Sequence, residues 1–131
     1  MIALVIVSHS HKIAEGVKDI AQEMSQERIK IATAGGVDDH SIGTNADRIH
    51  AALCQVLDSD GILVLLDLGS AIMSTEVAIE MLVPEQQQRV IICDAPLVEG
   101  SIIAAIEASM GHSLEEVNEA AKLTAKLSKL Q

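Results

Sequence analysis

IALVIVSHSH, residues 2–11, is an unbroken apolar run that passes directly into Ser-His-Ser-His. A strand with one wet face alternates; a run with no alternation marks a strand covered on both faces, the pattern of parallel sheets flanked by helices. Ile13, Val17, Ile20 and Met24 then recur at helical spacing, with Ala14 and Ala21 beside them. His9 and His11 therefore stand where a buried strand ends and a helix begins. That edge is where open α/β sheets collect their ligands.

The same alternation of elements continues outward. RIKIATA (28–34) reads as a second strand nearer an edge, and GGVDDHSIGT (35–44) as a turn-rich loop. Thr44 and Asp47 form a helix-start signature ahead of Ile49, Leu53, Val56 and Leu57. GILVLLDLG (61–69) is the third and most hydrophobic strand, AIMSTEVAIEML (71–82) a helix covered on most sides and ended by Pro84. RVIICDAP (89–96) is a fourth strand, IIAAIEASM (102–110) a fourth helix. Ser113 and Glu116 make a capping box for a last helix, with Leu114, Val117, Ala121, Thr124 and Leu127 on one stripe. Residues 1–131 are expected to form a single domain, without repeat or linker.

Strands alternating with helices imply right-handed crossovers, hence an α/β fold with a doubly wound parallel sheet and helices on both faces. For four strands the expected order is 2-1-3-4, with strands 1 and 3 adjacent at a topological switch point. Ser8, His9 and Ser10 then face Asp67, Leu68, Gly69 and Ser70. The fold thus predicts a histidine meeting a carboxylate.

Composition narrows the chemistry. Phe, Tyr and Trp are absent and the formal charge is −10, so single-stranded bases find no stacking platform and phosphate backbones are repelled. Anionic lipid is repelled likewise. No apolar segment reaches the length of a membrane span, and no secretion signal is expected at the N-terminus, which points to the cytoplasm. Cys54 and Cys93 form no close-spaced pair and are expected to be small core residues. Asp38 and Asp39 lack matching ligands, so no metal site is expected.

An imidazole beside a carboxylate has a defined use: the acid accepts the proton of one ring nitrogen, fixing the tautomer and leaving the other nitrogen as nucleophile. Gly69 and Ser70 open a helix whose free N–H groups suit an anion without any basic residue. Gly35, Gly36 and Gly43 allow close backbone approach on the other side. His9 with Asp67 is therefore the candidate reacting pair, and a phosphoryl group the fitting cargo. His11 is expected to face solvent, His40, His50 and His112 to be merely polar, and Met73 and Met81 to be core.

These residues have a resemblance. VIVSHS (5–10), GGVDD with IGT following (35–44), LLDLGSA (65–71) and APLVEG (95–100) together resemble the phosphotransferase subunits of bacterial dihydroxyacetone kinases, within the mannose-class IIA domains of the phosphoenolpyruvate:sugar phosphotransferase system. The resemblance implies that His9 takes a phosphoryl group from the phosphocarrier protein HPr. His9 would pass it to ADP on the kinase's nucleotide-binding subunit, and the ATP so formed would phosphorylate dihydroxyacetone on a third subunit. It further implies that Asp67 orients His9, and that Ser10, Gly69 and Ser70 contact phosphate. The chain itself would bind no cofactor, Mg–ADP being held by the partner subunit. A cytoplasmic homodimer is implied, with HPr and enzyme I as separate proteins. Relatives often finish in an exchanged strand, whereas 113–130 here read as helix.

Other functions fit less well. A response-regulator receiver needs paired acids after strand 1, where this chain has Ser-His-Ser. A small tetrapyrrole metal chelatase needs further ligands that His112 is poorly placed to supply. An anion-binding regulatory module and a IIA component of a mannose-type sugar transporter remain as alternatives, the second being the nearer.

Overall fold

The computed structural model describes residues 1–130. The elements run β1 (Ile2–Ser8), α1 (His11–Met24), β2 (Ile31–Gly35), α2 (Ala46–Gln55), β3 (Gly61–Leu66), α3 (Ala71–Glu80), α4 (Pro84–Gln87), β4 (Val90–Ile92), α5 (Leu97–Ser109) and α6 (Leu114–Leu123), closing on a 3-10 turn at Thr124–Lys126. The four strands form one parallel sheet in the order β2-β1-β3-β4. The expected order 2-1-3-4 is the observed one.

Every residue of β1 is buried, because its two rows of side chains feed two cores. Ile2, Leu4 and Ile6 pack with Leu63 and Leu65 against the alanine-rich faces of α1, α5 and α6. Ala3, Val5 and Val7 pack with Ile62 and Val64 against Ile49, Ala52 and Leu53 of α2 and Ala71 and Ala78 of α3. With no aromatic ring to fill space, alanines at the contacts let helices sit close to the sheet, and each buried Leu, Ile or Val contributes about 1.5–3 kcal/mol.

Several boundaries differ from expectation for local reasons. β2 begins at Ile31, since Gln26 and Glu27 take left-handed backbone (φ 56 and 57) that turns the chain after α1. α2 is capped by Asn45, whose side chain accepts from the Asp47 amide at 2.9 Å, not by Thr44. β3 ends at Leu66 and β4 is only three residues long. α5 starts at Leu97 rather than 102, since Pro96 holds φ near −58 and presets the first turn. Pro84 opens the short α4 rather than ending α3. Ser113 and Glu116 form the expected capping box, but Leu127 lies past the 3-10 turn in extended backbone and is exposed.

α3 is not covered on most sides. Ala71, Thr75 and Ala78 face the sheet, while Ile72, Met73, Val77 and Met81 are exposed, so Met73 and Met81 are not core. No element of the described chain lies over that face. Cys93 is buried as expected, but Cys54 is exposed on the outer side of α2, its Sγ 3.5 Å from Nε2 of His50. Among the described residues no helix is long and apolar enough to cross a membrane.

Candidate active site at the carboxyl edge of the sheet

The register β1–β3 pairs Val7 with Leu66, so the residues leaving the two strands, Ser8 and His9 on one side and Asp67 on the other, emerge side by side. β1 cannot continue past Ser8 because Ser10 caps α1, its Oγ accepting from the Ile13 amide at 3.3 Å. His9 is thus held in the bend between strand and helix, and its side chain is turned toward β3.

Asp67 receives three hydrogen bonds. Oδ1 accepts from Nδ1 of the His9 ring at 2.9 Å, and Oδ2 accepts from the His9 amide at 2.9 Å and from Ser8 Oγ at 2.9 Å. Burial opposes the negative charge of Asp67, but the bonds from the His9 amide, the His9 ring and Ser8 outweigh it and hold the carboxyl below its ordinary value. An ionised carboxylate on Nδ1 fixes a proton there and leaves Nε2 with its lone pair. Ser70 Oγ lies 2.9 Å from Nε2 and fits as donor to it. The imidazole is only 22% exposed, so Nε2 is approached from the rim of the sheet.

The surrounding backbone is built to the same end. His9 O accepts from the Gly43 amide at 2.9 Å and Ser8 O from the Gly36 amide at 3.0 Å, which folds the loop after β2 against the histidine. Gly36 has φ +77, and a Cβ there would meet Asp38 O at 2.4 Å. At Gly35 a Cβ would meet His11 Cα at 2.6 Å and Ser10 O at 2.7 Å, so only glycine lets β2 end against the start of α1. Gly69 is different, as an added Cβ meets nothing within 4 Å: open space lies beside it. The Ala71 and Ile72 amides turn inward to Leu68 O and Gly69 O at 3.0 and 3.1 Å. The donors left at the start of α3 are therefore fewer than a free helix end offers.

Of the residues expected at the site, His9, Asp67 and Ser70 are joined directly. Gly69 adjoins them in the turn, and Ser10 stands at the edge as the cap of α1, without a bond to the ring. His11 is not turned wholly to solvent: its Nδ1 lies 3.6 Å from Asp39, which also receives Arg48 at 3.0 Å, and Arg48 donates on to Gly35 O. These contacts clamp the loop. His112 lies elsewhere, bonded to Glu107. The sequence places Ser8 opposite Asp67 but assigns it no role, although a hydroxyl closing an otherwise apolar buried strand is a usable signal. Thr44, whose Oγ1 bonds Ser74 Oγ at 2.8 Å and ties the loop to α3, carried none.

An imidazole with one nitrogen held by a carboxylate and the other open beside a hydroxyl can take up and release an electrophile such as a phosphoryl group. Comparison with known proteins gives the family. The chain is 44% identical over 120 residues to the phosphoryl donor subunit of the PEP-dependent dihydroxyacetone kinase of Escherichia coli K12, covering 89% of this chain and 25% of that protein. It therefore spans about a quarter of the length of that relative. A Listeria innocua phosphoryl donor subunit of PEP-dependent dihydroxyacetone kinase 2 is 40% identical over 117 residues, covering 89% of this chain and 94% of that one. A crystal structure of a protein of unknown function superposes with a TM-score of 0.82 at 36% identity, covering 92% of each chain. The family model EIIA-man, described as the PTS system fructose IIA component, matches residues 3–118. That match runs from β1 into α6 and takes in the histidine, the carboxylate and both glycine turns, and by it the chain belongs to the EIIA-man family of phosphotransferase-system components.

Proposed function

We propose that this chain is a phosphohistidine carrier serving a dihydroxyacetone kinase: His9 accepts a phosphoryl group from phospho-HPr and delivers it to ADP held by the kinase's nucleotide-binding subunit. The carrying observation is the pair of 2.9 Å contacts on one ring, Asp67 on Nδ1 and Ser70 on Nε2. In the first step the Nε2 lone pair attacks phosphorus while the bond from phosphorus to the donor's nitrogen breaks. The ring becomes cationic and Asp67 balances that charge. In the second step a β-phosphate oxygen of ADP attacks, the phosphorus–Nε2 bond breaks, and the electron pair returns to the neutral ring. Ser70, displaced from Nε2 by the incoming group, becomes a donor to a phosphoryl oxygen, with Gly69 and Ser10 at the same edge.

The likeness to dihydroxyacetone-kinase subunits, which in the Listeria innocua protein runs over 94% of that chain, supports the kinase over a sugar transporter. The chain holds no GxxxxGK[ST] loop and only nine Lys and Arg, so Mg–ADP is assigned to the nucleotide-binding subunit and dihydroxyacetone to the third. A cytoplasmic homodimer belongs to the same proposal. The test is incubation with phosphoenolpyruvate, enzyme I and HPr, mapping of the acid-labile phosphate, then addition of Mg–ADP with and without the nucleotide-binding subunit. Label on His9, lost in a His9→Gln variant, and ATP formed only with the partner are expected. Label on another residue, or prompt ATP without the partner, refutes the proposal.

A further inference from the structure

The structure gives Ser8 a role that extends the phosphohistidine proposal and rests on it for its consequence in transfer. We infer that Ser8 is a positioning residue for His9: its hydroxyl, aimed by the Ser10 amide, holds one oxygen of Asp67 so that the other stays on Nδ1.

Ser8 is fully buried and supplies the only polar side chain of β1. A hydroxyl in such a place costs stability unless it is bonded, and an alanine would close the strand equally well for packing alone. The hydroxyl makes two bonds, and their directions are fixed by chemistry. The Ser10 amide can only donate, and it lies 3.0 Å from Ser8 Oγ. One lone pair is thereby occupied, and the hydroxyl proton is left for Asp67 Oδ2 at 2.9 Å. The backbone of Ser8 is held from the opposite side: its carbonyl accepts from Gly36 at 3.0 Å, and the residue is in register with Gly35 of β2. The hydroxyl is therefore a fixed donor on a rigid strand, not a free rotor.

What it holds needs holding. A carboxylate turns easily about its last torsion, and a single bond to Nδ1 would let Asp67 swing its two oxygens through that position. The second oxygen is gripped by Ser8 Oγ and by the His9 amide, and two donors on one oxygen set the plane of the group. Of the two, only Ser8 is independent of the residue being oriented. Once the ring carries phosphorus and positive charge, the carboxylate must stay in that plane for its charge to act at Nδ1. Ser8 touches neither the ring nor the cargo, so it acts through Asp67.

The experiment uses the full chain with Ser8→Ala and the near-isosteric Ser8→Cys, whose thiol is a weak donor. Imidazole ¹⁵N spectra read the tautomer of His9, ¹³C spectra the titration of the Asp67 carboxyl, and enzyme I with HPr the rate of labelling. In both variants the Nδ1–H share should fall, the Asp67 midpoint should rise because a donor to the charged form is gone, and the labelling rate should drop about tenfold per folded molecule. A lower melting temperature with unchanged tautomer and titration would show a structural role only and overturn the inference. Should neither variant fold, the wild-type protein decides: a slowly exchanging Ser8 hydroxyl proton, lost on protonating Asp67, is expected, and its absence overturns the inference. Wild-type chain that takes no label refutes the carrier function, while the tautomer and titration still decide Ser8.

Discussion

Replacing Asp67 by Asn should harm transfer more than replacing it by Ala, although Asn is the nearer mimic in shape. The reason is the distribution of donors. Two of the three bonds, from Ser8 Oγ and the His9 amide, fall on Oδ2, and one, from Nδ1, on Oδ1. An amide has one acceptor oxygen, so it takes the two-donor position and presents its NH₂ to Nδ1. The ring must then accept at Nδ1 and carry its proton on Nε2, which removes the nucleophile. Turning the amide over would leave two donors facing NH₂, at about 1–3 kcal/mol each. The unreactive tautomer is thus favoured by about 2–6 kcal/mol, or about 30- to 25,000-fold. Ala removes charge without imposing a tautomer. Two unit charges about 4 Å apart attract by about 4 kcal/mol at an effective dielectric constant near 20. The side chains are 22% and 17% exposed, so water takes part of that and about 2–3 kcal/mol is lost, a slowing of about 30- to 150-fold. Asn loses the charge as well, and should therefore label at least about tenfold more slowly than Ala. Initial rates of acid-labile ³²P uptake from phospho-HPr measure the order, and imidazole ¹⁵N shifts show the tautomer. An Asn variant as fast as Ala, with its proton still on Nδ1, refutes the reasoning.

Gly35→Ala should destabilise the chain by about 1–3 kcal/mol by overpacking, since the added Cβ meets backbone of Ser10 and His11 under 3.0 Å; urea unfolding measures it. A thiol reagent at neutral pH should modify Cys54 at once and Cys93 only on unfolding, because burial, with the charge of Asp94, pushes the Cys93 thiol up to about 11. The unfolded thiol ionises near 9.0, so a Cys93→Ala variant should remove a loss of stability that begins above that pH and grows toward 11. On the acid side, the depressed carboxyl of Asp67 contributes stability above its ordinary 3.8 that fades as pH falls through its folded value. The gap in unfolding free energy between wild type and Asp67→Ala should hold steady above about pH 5 and narrow below about pH 4.

Much of this was legible in the chain. IALVIV and GILVLL lack alternation because both faces of their strands are covered, so fold class and strand identity follow from local pattern. His9 and Asp67 were found because a polar group directly after a buried strand has only the sheet's carboxyl edge to occupy. Helix edges were less legible where a nearby side chain competed for the cap, as Asn45 did with Thr44.

Local pattern is enough for the alternation of elements and for the edge on which the polar residues gather, since each depends on neighbours within a few residues. The remaining features depend on how distant elements pack. Which faces of α3 are wet depends on whether another element lies over them, and among the described residues none covers the face of Ile72, Met73, Val77 and Met81, so methionines in an apolar segment are exposed. The pairing of His9 with Asp67 spans 58 residues and rests on the register of β1 against β3. A shift of one residue in that register would exchange the faces of the strand and separate the pair. Ser8 shows the same limit: a serine ending a strand is ordinary, and only the 2.9 and 3.0 Å contacts of its hydroxyl make it part of the site. Hydrogen bonds act over fractions of an ångström, and distances of that kind between remote residues are set by packing of the whole sheet, which no local pattern encodes.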